Sequence, residues 1–230
     1  MPQARPVAVV LASGGMDSCV CLAEAVREFT PALLHASYGQ RTAARELSAF
    51  QAIAAHYGVT RRLVTTLDNL RAIGGSSLTD ASRAVEQGWP VPGRVPSTYV
   101  PFRNAHLLAM GVSWAEVLGA RAVFIGAVEE DGSGYPDCRQ EFYDCFQAAV
   151  RAGTRPGAGI ELRTPLIRLT KAQIVRRGVE LGAPLHLTWS CYVEERQACG
   201  RCESCRLRRR GFAQAGVEDA IPYAPQAEAD

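Results

Sequence analysis

The stretch Val7-Ala8-Val9-Val10-Leu11-Ala12-Ser13-Gly14-Gly15-Met16-Asp17-Ser18 decides the fold. Its first half, 7–12, is a continuous apolar run, which is typical of a central parallel strand buried on both faces. A Ser-Gly-Gly turn follows, and after it apolar residues recur at helical spacing. A buried strand, a tight glycine turn and a helix predict the first unit of an α/β fold with a parallel sheet.

The turn itself is suited to binding an anion. Gly14 and Gly15 permit positive φ and close backbone approach, and the amides at the following helix N-terminus would converge on a phosphate. The stretch is neither a Walker A loop nor a G-x-G-x-x-G turn. The alternative is an ordinary Gly-Gly turn capped by Asp17. The candidate nucleotide-binding residues are Ala12, Ser13, Gly14, Gly15, Met16, Asp17, Ser18 and Cys19.

Strands and helices continue to alternate along the chain, which predicts βαβ units and helices on both faces of the sheet. The further expected strands are Ala32–Ser37, Arg61–Thr65 and Arg121–Ala127. The expected helices are Ser18–Phe29, Arg41–Tyr57, Asn104–Leu118, 140–152 and Thr170–Leu181. Residues 68–98, rich in glycine and proline, are expected to form a long excursion with little regular structure. We therefore expect an α/β nucleotide-binding domain over 1–187 and a cysteine-rich segment with a tail over 188–230.

Length and composition narrow the function classes. The 230 residues and 24.8 kDa suit one α/β domain with a small appendage, and 47% hydrophobic residues exclude a disordered chain. The net charge of +2 argues against a dedicated nucleic-acid binder. No apolar run reaches the ~18 residues of a membrane helix, and the N-terminus does not resemble a signal peptide. We expect no membrane partner and a cytoplasmic protein with reduced thiols.

Four of the eight cysteines crowd into a short window with the spacing C-x7-C-x2-C-x2-C. Four thiolates can close a tetrahedral structural site, for which zinc is well suited, and one ion per chain is expected. An iron–sulfur cluster is the open alternative, whereas a reducing compartment disfavours disulfides. The expected metal ligands are Cys191, Cys199, Cys202 and Cys205.

The remaining cysteines and the arginine run have simpler interpretations. We expect Cys19, Cys21 and Cys145 to be small buried residues on helices, while Cys138 lies in a polar loop and is a site candidate. The run of arginines over 206–210 is expected to be a solvated or interface face.

Taken together, the motifs resemble those of the 7-cyano-7-deazaguanine synthase (QueC) family, a branch of the PP-loop ATP pyrophosphatases. The resemblance covers nearly the whole chain. It is carried by Ser13-Gly-Gly-Met-Asp-Ser18, Tyr38-Gly39-Gln40-Arg41, Ser77-Leu78-Thr79-Asp80, Tyr99-Val-Pro-Phe-Arg-Asn104, Ser133-Gly-Tyr-Pro-Asp-Cys-Arg139, Thr164-Pro-Leu166 with Lys171, Thr188-Trp-Ser-Cys-Tyr192 and Cys199-Gly-Arg-Cys202-Glu-Ser-Cys205.

The resemblance implies a Rossmann-like fold of the adenine nucleotide alpha hydrolase type and an ATP-dependent carbon–nitrogen ligase. The implied reaction converts 7-carboxy-7-deazaguanine and ammonia, through the amide, to the nitrile, in queuosine and related deazapurine biosynthesis. Adenylation would replace an oxide leaving group by AMP. ATP, Mg²⁺ and a structural Zn²⁺ are the implied cofactors, and a homodimer is the implied assembly.

The resemblance also implies roles for individual residues. Asp17 would orient the loop or approach Mg²⁺, Lys171 would meet phosphate, and Arg103 would bind a carboxylate or phosphate. Lys171 is the only lysine in the chain; a solvated lysine at a helix start is the alternative. Asp137 would accept from the N–H edge of the base and Tyr135 would stack on it, although plain turn chemistry also explains that loop. The implied substrate-binding set is Tyr38, Gln40, Arg41, Asn104, Asp131, Ser133, Tyr135, Asp137, Cys138 and Arg139.

Three departures from the family pattern surround the expected site: Thr42 in place of histidine, Phe102 in place of a small residue, and the segment 126–131. They leave open a paralogue that adenylates the same acid and joins it to ammonia or another amine, even that of a protein, without making the nitrile. A PP-loop tRNA-thiolating enzyme or a zinc-ribbon nucleic-acid module is a further alternative, which the small net charge disfavours.

Overall fold

The computed structural model describes residues 4–89, 91, 93–129 and 134–225. The strands are β1 (Val7–Leu11), β2 (Thr30–Ser37), β3 (Arg62–Thr66), β4 (Ala122–Ile125) and β5 (Glu161–Arg163). The helices are α1 (Met16–Ala25), α2 (Ala43–His56), α3 (Asp68–Ile73), α4 (Arg103–Leu118), α5 (Gln140–Gly153), α6 (Lys171–Glu180) and α7 (Glu203–Ala215). All strand pairs are parallel, in the order β3-β2-β1-β4-β5. The expected parallel α/β sheet is therefore confirmed.

β1 lies at the centre of the sheet, and its side chains alternate between two cores. Val9 and Leu11 point to the core that contains Leu108 of α4. Ala8 and Val10 point to the opposite core, which is built from α1, α2, α6 and α7. Helices therefore cover both faces, which explains why the strand is apolar at every position.

Several elements differ from the sequence-based expectation. α1 begins earlier, at Met16, and ends at Ala25 rather than Phe29. The excursion expected to lack regular structure begins with a helical turn and a half, α3. The strand β5 and the helix α7 were not predicted, because β5 has only three residues, two of them charged, and the many arginines of α7 obscure its apolar spacing.

The burial of two residues corrects further expectations. Cys19 and Cys21 are buried, as predicted, but Cys145 is exposed because α5 buries its other face through Tyr143 and Val150. Arg208, expected within a solvated run, is buried inside the C-terminal segment. The prediction that the arginine run lies on the surface is therefore wrong for Arg208.

The C-terminal segment packs against the α/β part of the chain. Phe212 of α7 lies in the same core as Ile174 of α6. The cysteine-rich part forms a small cluster with Trp189 and Ile221, which includes Ala49 of α2. No helix in the described part of the chain is long and apolar enough to cross a membrane.

Candidate functional site

A cavity of about 270 Å³ opens at the carboxyl ends of β1 and β4. The strand order reverses between these two strands, and ligands of open α/β sheets bind at such a crevice. Apolar residues from the strand ends form one part of its wall: Leu11, Leu34, Ala36, Ile125 and Ala127. Their arrangement suits a flat, apolar group such as a nucleobase.

The turn after β1 forms the polar part of the wall and is tied by its own hydrogen bonds. Ser13 Oγ accepts from Gly15 N–H at 3.1 Å, and Ser18 Oγ donates to the Gly15 carbonyl at 2.9 Å. Trp189 N–H donates to the Gly14 carbonyl at 2.9 Å. The turn is therefore held by its own serine side chains and by the backbone of Trp189, and its α1 end faces the cavity.

Two glycines make this arrangement possible. Gly14 has φ +90°, and a Cβ there would lie 2.4 Å from the Glu46 carbonyl oxygen. A Cβ on Gly126, after β4, would lie 2.7 Å from the Asp17 carbonyl oxygen. Only glycine permits these backbones to approach so closely.

Asp17 and Lys171 form an ion pair at the site. Lys171 Nζ lies 2.7 Å from Asp17 Oδ2, and both residues line the cavity. Asp17 Oδ1 is buried, and no described residue donates a hydrogen bond to it. This oxygen is therefore available to a cation such as Mg²⁺.

Arg103, at the start of α4, contacts neutral groups. It donates to Tyr38 Oη at 3.1 Å and to Asn104 Oδ1 at 3.4 Å, and its guanidinium lies 5.5 Å from the Tyr38 ring centre. Among the described residues it forms no ion pair, and no acceptor lies at its Nε. A partly buried guanidinium of this kind suits a carboxylate or phosphate.

Asp137 does not line the cavity. Its Oδ2 accepts from the backbone N–H of Asn104 at 2.9 Å, so it caps the N-terminus of α4. Burial raises the pKa of Asp137 despite this bond. Asn104 Nδ2 also donates to the Asp137 carbonyl and contacts Cys138 Sγ at 3.3 Å, which fixes the loop beside the cavity.

The structure brings together most of the residues expected at the site. Those that line the cavity are Ala12, Ser13, Gly15, Met16, Asp17, Ser18, Tyr38, Arg103, Asn104, Tyr135, Cys138 and Lys171. Cys19 packs in the core, and Gly14 packs against α2. Asp131 and Ser133 lie outside the described residues.

Three other expected site residues have structural contacts. Gln40 lies behind the wall and donates to Glu46. Arg41 holds the excursion by donating to the Ser77 and Asp80 carbonyls. Arg139 is exposed and donates to the Pro136 carbonyl.

Sequence reasoning missed part of the wall. The cavity is also lined by Glu46, Trp189, Ser190, Tyr192, Glu203, Ser204, Leu207 and Arg208. Motifs around 188–192 and 199–205 contain or adjoin most of these residues, but no local pattern marks Glu46. It reaches the site only because α2 packs beside the glycine turn.

The four clustered cysteines form a candidate metal centre. Their Sγ atoms all lie within 4.8 Å of one another. Backbone N–H groups of Val193, Glu194 and Cys199 point at Cys191 Sγ, at 3.3–3.4 Å. The group can therefore hold a metal ion through thiolates.

Two of the departures have structural explanations. Thr42 is buried and bridges α2 to the cysteine-rich segment, since its Oγ1 lies 3.2 Å from the Cys191 carbonyl. Phe102 adopts φ 57° before α4 and packs edge-on against Phe142. Neither side chain lines the cavity.

The chain matches the family model described as queuosine biosynthesis protein QueC over residues 7–216. It belongs to the QueC family. Relatives named 7-cyano-7-deazaguanine synthase include those of Koribacter versatilis, 59% identical over 95% of this chain and 94% of the relative, and Acidobacterium capsulatum, 54% identical over 97% and 99%. The relative from Chlorobaculum tepidum is 54% identical over 94% and 96%. The predictions of a QueC family member and of an enzyme are confirmed.

A solved structure of much lower sequence identity also resembles this chain. NMN synthetase from Francisella tularensis matches this QueC family member at 15% identity with a TM-score of 0.46, over 98% of this chain and 90% of that one.

Proposed function

We propose that this protein activates 7-carboxy-7-deazaguanine with ATP and aminates it, through the amide, to 7-cyano-7-deazaguanine. Relatives at least 54% identical over nearly the whole chain are named for that product. The observation that carries the proposal is the cavity itself, which joins a glycine turn suited to phosphate to the partly buried guanidinium of Arg103. A triphosphate and a carboxylate can meet there.

The chemistry requires two activations. A carboxylate is a poor electrophile because oxide would have to leave, so its oxygen first takes AMP from ATP and pyrophosphate departs. Ammonia displaces AMP to form the amide. Activation of the amide oxygen by a second ATP, followed by loss of AMP and of the nitrogen's protons, forms the nitrile.

The residues of the cavity divide this work. Amides of the turn around Gly15 hold the pyrophosphate at the N-terminus of α1. Lys171 fixes Asp17 and adds positive charge beside the phosphates. Mg²⁺, held at the buried Asp17 Oδ1, would screen the phosphate charge. Arg103 holds the substrate carboxylate.

The base of the substrate would occupy the aromatic end of the cavity. Tyr135 and Tyr192 line it, and Tyr135 Oη lies 2.7 Å from Thr98 Oγ1. Rigidly held aromatic rings favour a flat bicyclic base over a flexible acid. Asp137, whose carboxylate caps α4, supports this end from behind.

The four cysteines would hold one structural zinc ion. Thiolates about 2.3 Å from a tetrahedral ion lie roughly 3.8 Å apart, close to the 4.0 Å between Cys199 Sγ and Cys205 Sγ. An iron–sulfur cluster would separate thiolates that bind different irons more widely. With every position filled by protein, the ion would stabilise the fold rather than take part in catalysis.

The test is a product assay. Purified protein receives ATP, Mg²⁺, 7-carboxy-7-deazaguanine and ammonium, and mass spectrometry follows the amide, the nitrile and AMP. We expect nitrile, with one AMP released for the amide and a second for the nitrile; Asp17→Ala should release none. Amide without nitrile would support the paralogue, and absence of AMP would contradict activation altogether.

A further inference from the structure

Glu46, in the first turn of α2, contributes a carboxyl group to the cavity wall. Its hydrogen-bond donors are neutral: Gln40 Nε2 at 3.0 Å and Thr42 Oγ1 at 2.9 Å. In the described part of the chain no lysine or arginine lies within ion-pair distance of it, whereas Asp17 is paired with Lys171. A partly buried carboxyl without a cationic partner can change its protonation at modest cost.

The orientation of Gln40 defines one oxygen of Glu46 as a permanent acceptor. Gln40 Oε1 accepts from the backbone N–H of Tyr38 at 2.8 Å, so the amide nitrogen of Gln40 must face Glu46. Glu46 Oε2 therefore accepts a hydrogen bond in either protonation state.

Thr42 leaves room for a proton on the other oxygen. Thr42 Oγ1 lies 2.9 Å from Glu46 Oε1 and 3.2 Å from the Cys191 carbonyl, but a hydroxyl has only one hydrogen for these two acceptors. When Glu46 Oε1 carries a proton, it can donate to Thr42, whose hydrogen then serves Cys191. The network accommodates both forms of Glu46.

Burial and the surrounding groups shift the pKa of Glu46 in opposite directions. Burial raises the pKa of Glu46, and the charge of Glu195 acts in the same direction. The hydrogen bonds from Gln40 and Thr42 and the charge of Arg103 oppose it. Burial raises the pKa of Tyr38, and the charge of Glu46 acts in the same direction. A carboxyl whose pKa is raised towards neutral pH is a more effective proton acceptor than an ordinary one.

We propose that Glu46 accepts the proton that ammonia loses when it joins the activated carboxyl carbon. The proposal rests on the proposed function. The nitrogen lone pair forms the C–N bond, the C–O bond to AMP breaks with its electron pair on AMP, and the nitrogen's proton passes to Glu46, which then releases it to solvent.

The experiment separates activation from amination. Glu46→Gln is compared with wild type in ATP–pyrophosphate exchange driven by 7-carboxy-7-deazaguanine, and in amide formation at saturating ammonia. We expect exchange within about threefold of wild type and amide formation reduced by roughly 100-fold or more. The rise of wild-type amination with pH through the pKa of Glu46 should disappear in the variant. Hydroxylamine, a stronger nucleophile largely unprotonated at neutral pH, should restore acyl transfer in part.

Thr42 supplies the matched pair of variants. Thr42→Ser keeps the hydroxyl and should aminate like wild type, whereas Thr42→Val, of the same shape, should aminate roughly tenfold more slowly with normal exchange. If Glu46→Gln does not fold, the comparison of Thr42→Ser with Thr42→Val still tests the proposed role of Glu46 in amination.

Several outcomes would overturn the assignment of Glu46. Normal amination in Glu46→Gln would do so, as would equal loss of exchange and amination in a folded variant. Equal rates of amination in Thr42→Ser and Thr42→Val would show that the hydrogen bond between Thr42 and Glu46 has no role in proton transfer. Wild-type protein without exchange would instead contradict the proposed function.

Discussion

At position 126 the backbone after β4 passes so close to the glycine turn that no side chain fits. A Cβ there would meet the Asp17 carbonyl oxygen at 2.7 Å and the Ser18 nitrogen at 3.0 Å. Both neighbours are backbone atoms, which cannot swing aside as a side chain could. The absence of a side chain at Gly126 thus permits the close approach of the two backbones beside the glycine turn.

Gly126→Ala should therefore damage the site. We expect a loss of about 1–3 kcal/mol in the free energy of unfolding and at least a tenfold loss of ATP–pyrophosphate exchange. The matched control is Gly153→Ala, at the end of α5, where a Cβ meets nothing within 4 Å and φ is not positive. Urea unfolding and exchange assays on both variants test this. Equal rates of ATP–pyrophosphate exchange in Gly126→Ala and Gly153→Ala would show that the glycine turn can shift without loss of activity.

Among the elements, α7 shows most clearly what a composition-based interpretation misses. Arg208 Nε and Nη2 lie 2.8 and 2.9 Å from the two carboxylate oxygens of Asp219, and only 2% of the Arg208 side chain is exposed. Nη1 also donates to Thr188 Oγ1 at 2.7 Å. Arg208 therefore joins α7 to Thr188, before the cysteine cluster, and to Asp219, after it.

Removing one partner of this pair should be costly. Asp219→Ala leaves a buried guanidinium without its counter-charge, and we expect it to lower the free energy of unfolding by about 3–5 kcal/mol. Arg209→Ala, on the exposed side of α7, should change it by less than about 1 kcal/mol. Thermal and chemical unfolding of the two variants measures the contrast. Similar effects would mean that the buried pair contributes no more than an exposed arginine.

Across the whole molecule, the cysteine-rich segment connects the excursion to the cavity. Gln87 pairs with Cys202 in an antiparallel bridge, and Trp89 packs against the guanidinium groups of Arg206 and Arg210. On its other side the segment holds the glycine turn through Trp189. If the four cysteines hold a metal ion, as we propose, its loss should loosen both the excursion and the glycine turn.

Cys202→Ser tests this connection. We expect loss of bound zinc, a Tm lower by roughly 10 °C or more, and reduced exchange activity, because metal binding contributes to folding. Cys145→Ser is the control, since Cys145 is exposed on α5. Elemental analysis and calorimetry give the readouts. Wild type with stoichiometric iron and sulfide would contradict the zinc assignment.

Two expectations about the whole molecule are not tested by the contacts within one chain. The homodimer stays a prediction, which light scattering can test. The division at 187 stays a prediction as well, although Phe212 shares a core with Ile174. Both concern how surfaces pack, which a local sequence pattern does not describe.

Features that are local in the chain could be predicted from residue type and spacing. The strand–glycine-turn–helix unit and the spacing of Cys191 to Cys205 are contiguous patterns, and each was recognisable because its chemistry needs neighbours in sequence. The tertiary structure alone decided the places of Glu46, Arg208 and Asp137. Each owes its role to a partner at least 11 residues away or to a helix packed beside the site. Burial and hydrogen bonding between distant segments exist only after folding, so residue type and spacing could not reveal them.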